Sequence, residues 1–317
     1  MPPAVVIIVL NWNGAEDTLR CLESLERQTY PNFRLLVVDN GSTDGSLAAL
    51  RALGERITLI ESPENLGYTG GNNLAIREVL RGDAGYIWLF NNDAVAEPDA
   101  LALLVAAAEA DPEVGLASPF LRDPDGHTAG EFCGGKFDPE LLTFSFTNRP
   151  EVYRDWASTA PYRIWLYGTA LLLRRNAIER MGLLDEDFFA YVEDNEISLR
   201  SAQFGFKNIV VPEAVVFHSF HYENAPPYHF YYMARNLILL LRKHGKFPKI
   251  LKSIVWAIDE QAKKLPKLHH NLQAKQAIYA GVWDGLCGNG GQYHQKRPKE
   301  TLGRLVLVIS KAILKFR

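Results

Sequence analysis

The strongest constraint in this chain is a unit that repeats through its first 110 residues: an apolar run, a polar cluster, then an amphipathic stretch. Residues 5–10 are apolar throughout and rich in β-branched side chains, as in a strand buried on both faces. They end at Asn11-Trp12-Asn13-Gly14, after which leucines at 19, 22 and 25 mark a helical stripe over 15–28. A second run, 33–38, ends at Asp39-Asn40-Gly41-Ser42-Thr43-Asp44-Gly45. Residues 46–53 read as a helix, 57–60 as a short strand, and 70–80 as a helix with a glycine-rich entry. The run 86–90 ends at Asn91-Asn92-Asp93, and 99–110 is an alanine-rich helix. This alternation predicts an α/β fold with a mostly parallel central sheet flanked by helices. In such sheets ligands bind beyond the carboxyl ends of the strands. Three polar clusters are therefore expected on one edge.

Residues 111–165 are less regular, with a turn signal at 123–126 and many aromatics, among them Phe144, Phe146, Tyr153, Trp156, Tyr162 and Trp165. A strand over 168–174 and a helix over 176–181 follow, then a helix over 192–204, strand-like runs at 208–211 and 215–218, and a long helix over 228–244. The expected organisation is an α/β domain over 1–241, in halves 1–110 and 111–241, and a basic helical C-terminal extension over 242–317. Charge supports that division: residues 242–317 carry 16 Lys and Arg against 4 Asp and Glu, whereas 1–241 carry 18 against 33. An apolar fraction of 47% with 22% charged residues argues against disorder. Three cysteines without CxxC spacing predict a reduced, cytoplasmic compartment. The N-terminus lacks the basic start of a signal peptide, and no apolar stretch reaches the roughly 18 residues a membrane span needs.

The clusters have chemistry in common. A carboxylate after a buried strand, as at Asp39, can accept the N3–H of a pyrimidine, although a capped turn uses the same residues. Asp93 at a strand end can hold a hard divalent cation, or cap a helix. Glu193 and Asp194 open an apparent helix in a run of six acids, where a solvated acidic face competes with a general base. His218 ends an apolar run, and with His221 it leaves zinc open, although no cysteine lies nearby. The stretch 65–73 is neither a Walker loop nor GxGxxG.

In order, VVIIVLNWNG, VVDNGSTDG, ENLGYTGGNN, WLFNNDAVAEPDAL, the stretch from Tyr167 to Arg200, VVFH and YYMARN resemble the inverting family 2 glycosyltransferases of GT-A fold. The resemblance covers about 4–245 and is greatest to bacterial enzymes using dTDP-L-rhamnose. It implies that Asn11 and Trp12 border the nucleoside, and that Asp39 binds the pyrimidine with Asn40 and Ser42 nearby. It implies that Asn65, Gly71 and Asn72 shape the ribose and diphosphate side, with Asn92 beside them. Asn91-Asn92-Asp93 takes the Asp-x-Asp position, so Asp93, with Asn91 and His218, would hold Mg²⁺ or Mn²⁺. Asp194 would be the catalytic base, Glu193 would contact sugar or acceptor, and Arg235 would sit near the diphosphate. The implied partners are a dTDP- or UDP-linked sugar donor and a glycan or lipid-linked oligosaccharide acceptor. A sugar nucleotidyltransferase and an inactive glycan-binding relative are the competing readings. Residues 302–317 repeat apolar positions at helical spacing with Arg304, Lys311 and Lys315 on another side, a pattern suited to an anionic inner membrane face, to the chain's own body or to a homodimer. No nucleic-acid-binding motif is present.

Overall fold

The structure, a computed structural model, describes residues 1–128, 131–219, 225–245 and 271–293. It divides into two compact units: residues 1–137, 144–184 and 194–220 form the first, and 138–143, 185–193 and 221–317 the second.

In the first unit the strands are β1 Val5–Asn11, β2 Phe33–Asn40, β3 Thr58–Ser62, β4 Tyr86–Asn91, β5 Val95–Ala96, β6 Val114–Arg122, β10 Ala170–Arg174 and β11 Lys207–Phe217. They form one sheet in the order β3-β2-β1-β4-β10-β6-β11-β5. A smaller sheet orders β8 Thr143–Phe146, β7 Gly135–Asp138 and β9 Ile164–Trp165. The helices are α1 Ala15–Leu25, α2 Ser46–Arg51, α3 Gly67–Val79, α4 Ala100–Ala110, α5 Pro150–Thr159, α6 Arg175–Met181 and α7 Glu193–Gln203. Residues Val5 to Val9 of β1 are at most 1% exposed, as their unbroken apolar run requires. Removing such a side chain, as in Ile8→Ala, costs about 2–5 kcal/mol. β1 runs parallel to β2 and β4, pairing Asn11 with Asp39 and Leu10 with Asn91. The polar ends of these three strands are therefore level.

The expected mostly parallel α/β sheet is present, with two antiparallel members. β10 runs against both β4 and β6, and β5 runs against β11. The strand β6 was hidden in the irregular stretch because VGLASPFLR mixes small residues and a proline into its apolar run. The two runs at 208–211 and 215–218 are one strand, β11, whose register shifts between Val211 and Val215. α3 begins at Gly67, so its glycines lie inside the helix rather than before it. A Cβ on Gly71 would come 2.5 Å from Leu10 Cδ1, so that glycine sets how closely α3 approaches β1. The aromatics of 144–165 divide: Tyr153 and Trp165 are buried, whereas Phe146 and Tyr162 are 51% and 41% exposed.

The second unit contains α8 Pro227–His244 and α9 Asn271–Cys287. The expected boundary at 241/242 lies within helix α8. Gly281 and Gly285 let the two helices approach closely; a Cβ on Gly285 would lie 2.8 Å from the Arg235 carbonyl oxygen. Tyr231 donates to Asp284 at 2.8 Å between them. The amphipathic pattern at 302–317 and His221 lie outside the described residues. No helix among the described residues is long and apolar enough to cross a membrane.

Candidate active site

The turn after β2 is built around Asp39, which is 1% exposed. Its Oδ1 accepts from the Ser42 amide at 3.0 Å and its Oδ2 from Asn11 Nδ2 at 2.9 Å. Asn11 Nδ2 also reaches Ser42 Oγ at 3.0 Å, and that oxygen accepts from the Asn13 amide. Asn11 is fully buried and holds Asp39 and Ser42 in place. Trp12, 48% exposed, presents its ring at the strand end. Asn40 is buried and its amide is committed to the chain: Nδ2 donates to Asn65 Oδ1 and the Gly67 carbonyl, and Oδ1 accepts from the Leu66 amide. Asn65, Asn40 and Gly71 thus fix the entry of α3 against β2, and Asn72 donates to the Tyr68 carbonyl within the helix.

A relay the sequence did not disclose joins this turn to the end of β4. Thr18 Oγ1 lies 2.9 Å from Asn11 Oδ1 and accepts from Asn92 Nδ2 at 3.0 Å. Thr18 is fully buried, and a lone threonine on the inner face of α1 was the available signal. Beyond Asn92 the chain crosses the sheet edge to form β5 beside β11. That crossing brings Asp93 Oδ1 to 3.3 Å from His218 Nε2. Burial raises the Asp93 carboxyl's affinity for a proton, but the His218 hydrogen bond and charge outweigh it and hold the carboxyl below its usual range. A half-exposed carboxylate oxygen beside an imidazole nitrogen is a donor set that fits Mn²⁺ or Mg²⁺. Asn91 closes β4 next to it, offering at most a weaker amide oxygen.

The loop before β10 links the same strand end to α7. The Asn91 amide donates to the Thr169 carbonyl at 2.8 Å, and the Gly168 amide donates to Asp194 Oδ2 at 3.1 Å. Tyr68 Oη donates to the Gly168 carbonyl, and Ser198, one turn after Asp194, accepts from the Leu166 amide. Neither Tyr68 nor Ser198 was expected at the site. Burial pushes the Asp194 carboxyl up to about 6, while backbone amides of Gly168, Asn195 and Asp194 itself pull the other way. An acid so poised can take a proton near neutral pH.

Two residues fall in the second unit. Glu193 is buried at 7% exposure. Arg235 is fully buried and donates to the carbonyls of Asp187, Phe188 and Gly291. Asp123, Asp125 and His127, just after β6, bring three ligand atoms within 4.8 Å. They form the expected turn, with Asp125 N donating to Asp123 Oδ1 and Gly126 N to the Asp123 carbonyl.

The family model of glycosyl transferase family 2 matches residues 5–178. N-acetylglucosaminyl-diphospho-decaprenol L-rhamnosyltransferase of Mycobacterium tuberculosis is 29% identical over 239 residues, which is 69% of this chain and 76% of that protein. dTDP-rhamnosyl transferase RfbF of Shigella flexneri is 22% identical over 304 residues, 92% of this chain and 98% of its own. The mannosyltransferase PcManGT from Pyrobaculum calidifontis, solved with GDP-Man and Mn²⁺, superposes with a TM-score of 0.58 at 21% identity over 98% of this chain and 87% of that one. S. aureus TarS 1–349, solved with UDP-GlcNAc, gives 0.60 at 13% identity over 97% and 89%. These likenesses show the GT-A fold. With the family match spanning more than half of the residues, this enzyme belongs to glycosyl transferase family 2 and is a glycosyltransferase.

Proposed function

We propose that the chain transfers L-rhamnose from dTDP-L-rhamnose, with inversion, to a lipid-linked or surface glycan. The observation that carries the reading is the Asp194 carboxyl, raised to about 6 and tied through Gly168 and Thr169 to the strand end beside Asp93. In the reaction the acceptor hydroxyl oxygen bonds to the anomeric carbon as the carbon–oxygen bond to the diphosphate breaks. The hydroxyl proton goes to Asp194, whose carboxylate is the predominant form at pH 7. Asp39 accepts from the pyrimidine, and Trp12 offers the base a ring face. Asp93 and His218 would hold a divalent cation, which supplies positive charge to a departing diphosphate.

Rhamnose and the lipid-linked acceptor are supported by the names of the M. tuberculosis and S. flexneri relatives. A lipid-linked acceptor suits work at the inner face of the cytoplasmic membrane, and the basic balance of 242–317 complements an anionic surface. The test is a thermal-shift screen of dTDP, UDP, GDP and CDP with and without Mn²⁺, followed by turnover of dTDP-L-rhamnose. Metal-dependent stabilisation by dTDP above UDP is expected. Preference for UDP moves the donor to a UDP-sugar, and no shift with any nucleotide overturns the reading.

A further inference from the structure

The segment just before Asp194 is held in a conformation that its side chains disfavour. Phe189, Tyr191 and Val192 have φ of 63°, 68° and 71°. Non-glycine residues rarely adopt positive φ, and a β-branched residue such as Val192 does so least readily. Three such residues within four positions persist only when the surroundings over-determine them, and such strain gathers at functional sites.

The surroundings here are an arginine and an asparagine from the apolar middle of α8, both fully buried. Asn236 Nδ2 points at three carbonyls of the strained segment: Phe188 at 2.9 Å, Ala190 at 2.7 Å and Tyr191 at 2.6 Å. Arg235 Nε donates to Asn236 Oδ1 at 2.8 Å, which fixes the amide with its NH₂ toward those carbonyls. The guanidinium then donates to the carbonyls of Asp187 at 3.0 Å and Phe188 at 2.7 Å. Tyr232 stacks on Phe189 with ring centroids 5.3 Å apart. A helix that buried these groups only for packing would carry leucine there, as at 237 and 239–241.

We propose that Arg235 and Asn236 are positioning residues for transfer: they latch residues 187–192, with Phe189, Tyr191 and Val192 at positive φ, in the conformation from which the chain enters α7 at Glu193 and Asp194. The proposal rests on the reading of Asp194 as the base. It assigns no substrate contact to either residue.

Asn236→Asp separates the latch from ordinary packing. It keeps the shape and the acceptor for Arg235 Nε, but turns an oxygen toward three carbonyl oxygens where a donor stood. The measurements are kcat and donor KM with dTDP-L-rhamnose, dTDP affinity, and hydrogen exchange of the peptides covering 185–196 and 5–11. The expected result is a fall of about 10- to 100-fold in kcat, the scale of misplacing a catalytic group. Donor KM and dTDP affinity stay within about twofold, and exchange quickens only in 185–196. Unchanged exchange there overturns the latch, and quickened exchange with kcat within about twofold overturns its role in positioning. Should N236D fail to fold, Arg235→Lys, which retains the charge but fewer donors, is judged by the same outcomes. If the wild type turns over neither dTDP-L-rhamnose nor a UDP-sugar, the functional reading falls while exchange still decides whether the latch exists.

Discussion

His218 Nε2 lies 3.3 Å from Asp93 Oδ1 although β10 and β6 separate their strands, β11 and β4, in the sheet. The link is the stretch after Asn91, which crosses the strand ends and pairs as β5 with Val216 and Phe217. A two-residue strand thus assembles a carboxylate and an imidazole at the edge where β1, β2 and β4 end.

This pair predicts a metal dependence that can be removed one ligand at a time. Asp93→Ala is expected to abolish the rise in melting temperature that Mn²⁺ adds to dTDP. His218→Ala is expected to weaken Mn²⁺ by about 10- to 100-fold, the range typical of groups that orient or complete a metal site. A titration of Mn²⁺ followed by thermal melting checks both. Equal Mn²⁺ affinity in wild type and Asp93→Ala would remove the pair as a metal site.

Asp194 predicts the pH behaviour. Its carboxyl is raised to about 6 from an ordinary 3.8, so transfer is expected to lose rate as pH falls through about 6, where the base becomes protonated. The sign for stability is opposite. The native state binds the proton more tightly than the unfolded chain, so this group's contribution is full below about 4 and is lost as pH rises through about 6. Asp194→Asn is expected to lower turnover by about 10²- to 10⁴-fold without lowering the melting temperature at pH 7. A pH–rate profile with its acid limb near 4, or turnover retained in Asp194→Asn, would sink the assignment.

The three strand-end clusters were legible because each directly follows at least four consecutive apolar residues, and chain order alone makes their ends coincide in a parallel sheet. The pairing of Asp93 with His218 is nonlocal, and only the ordering of β10, β6 and β11 brings it about. Thr18 bridges Asn11 and Asn92, but one threonine in an amphipathic helix has no spacing signal. The asparagines at 11, 40 and 72 were legible as members of motifs but not as buried, since a motif gives position and not the direction of a side chain. Arg235 and Asn236 are legible on a different ground: a charge and an amide beside a run as apolar as 237–241 must find partners inside.

Asn11 predicts a stability effect. Asn11→Ala leaves the buried Asp39 carboxylate without its side-chain donor Asn11 Nδ2 and removes the oxygen that faces Thr18. The expected cost is about 1–3 kcal/mol, the penalty of unsatisfied buried polar groups. Urea unfolding monitored by tryptophan fluorescence measures it. A change below about 0.5 kcal/mol would show that the relay from Asp39 to Asn92 does not hold the turn.

Trp12 predicts the converse. It follows Asn11 in the chain but is 48% exposed, so Trp12→Ala removes a surface ring and not a core contact. Stability is expected to change by less than about 0.5 kcal/mol, as for surface substitutions away from buried features. Binding is expected to suffer, because stacking a base on an aromatic ring is worth about 1–3 kcal/mol. That corresponds to roughly 5- to 150-fold in dTDP affinity, with Trp12→Phe retaining most of it. Calorimetric titration of dTDP into each variant reads the difference. Because Asn11→Ala acts on folding and Trp12→Ala on binding, neighbouring residues separate the two functions of the β1 end. Equal dTDP affinity in Trp12→Ala and wild type would move the base-binding surface away from this strand.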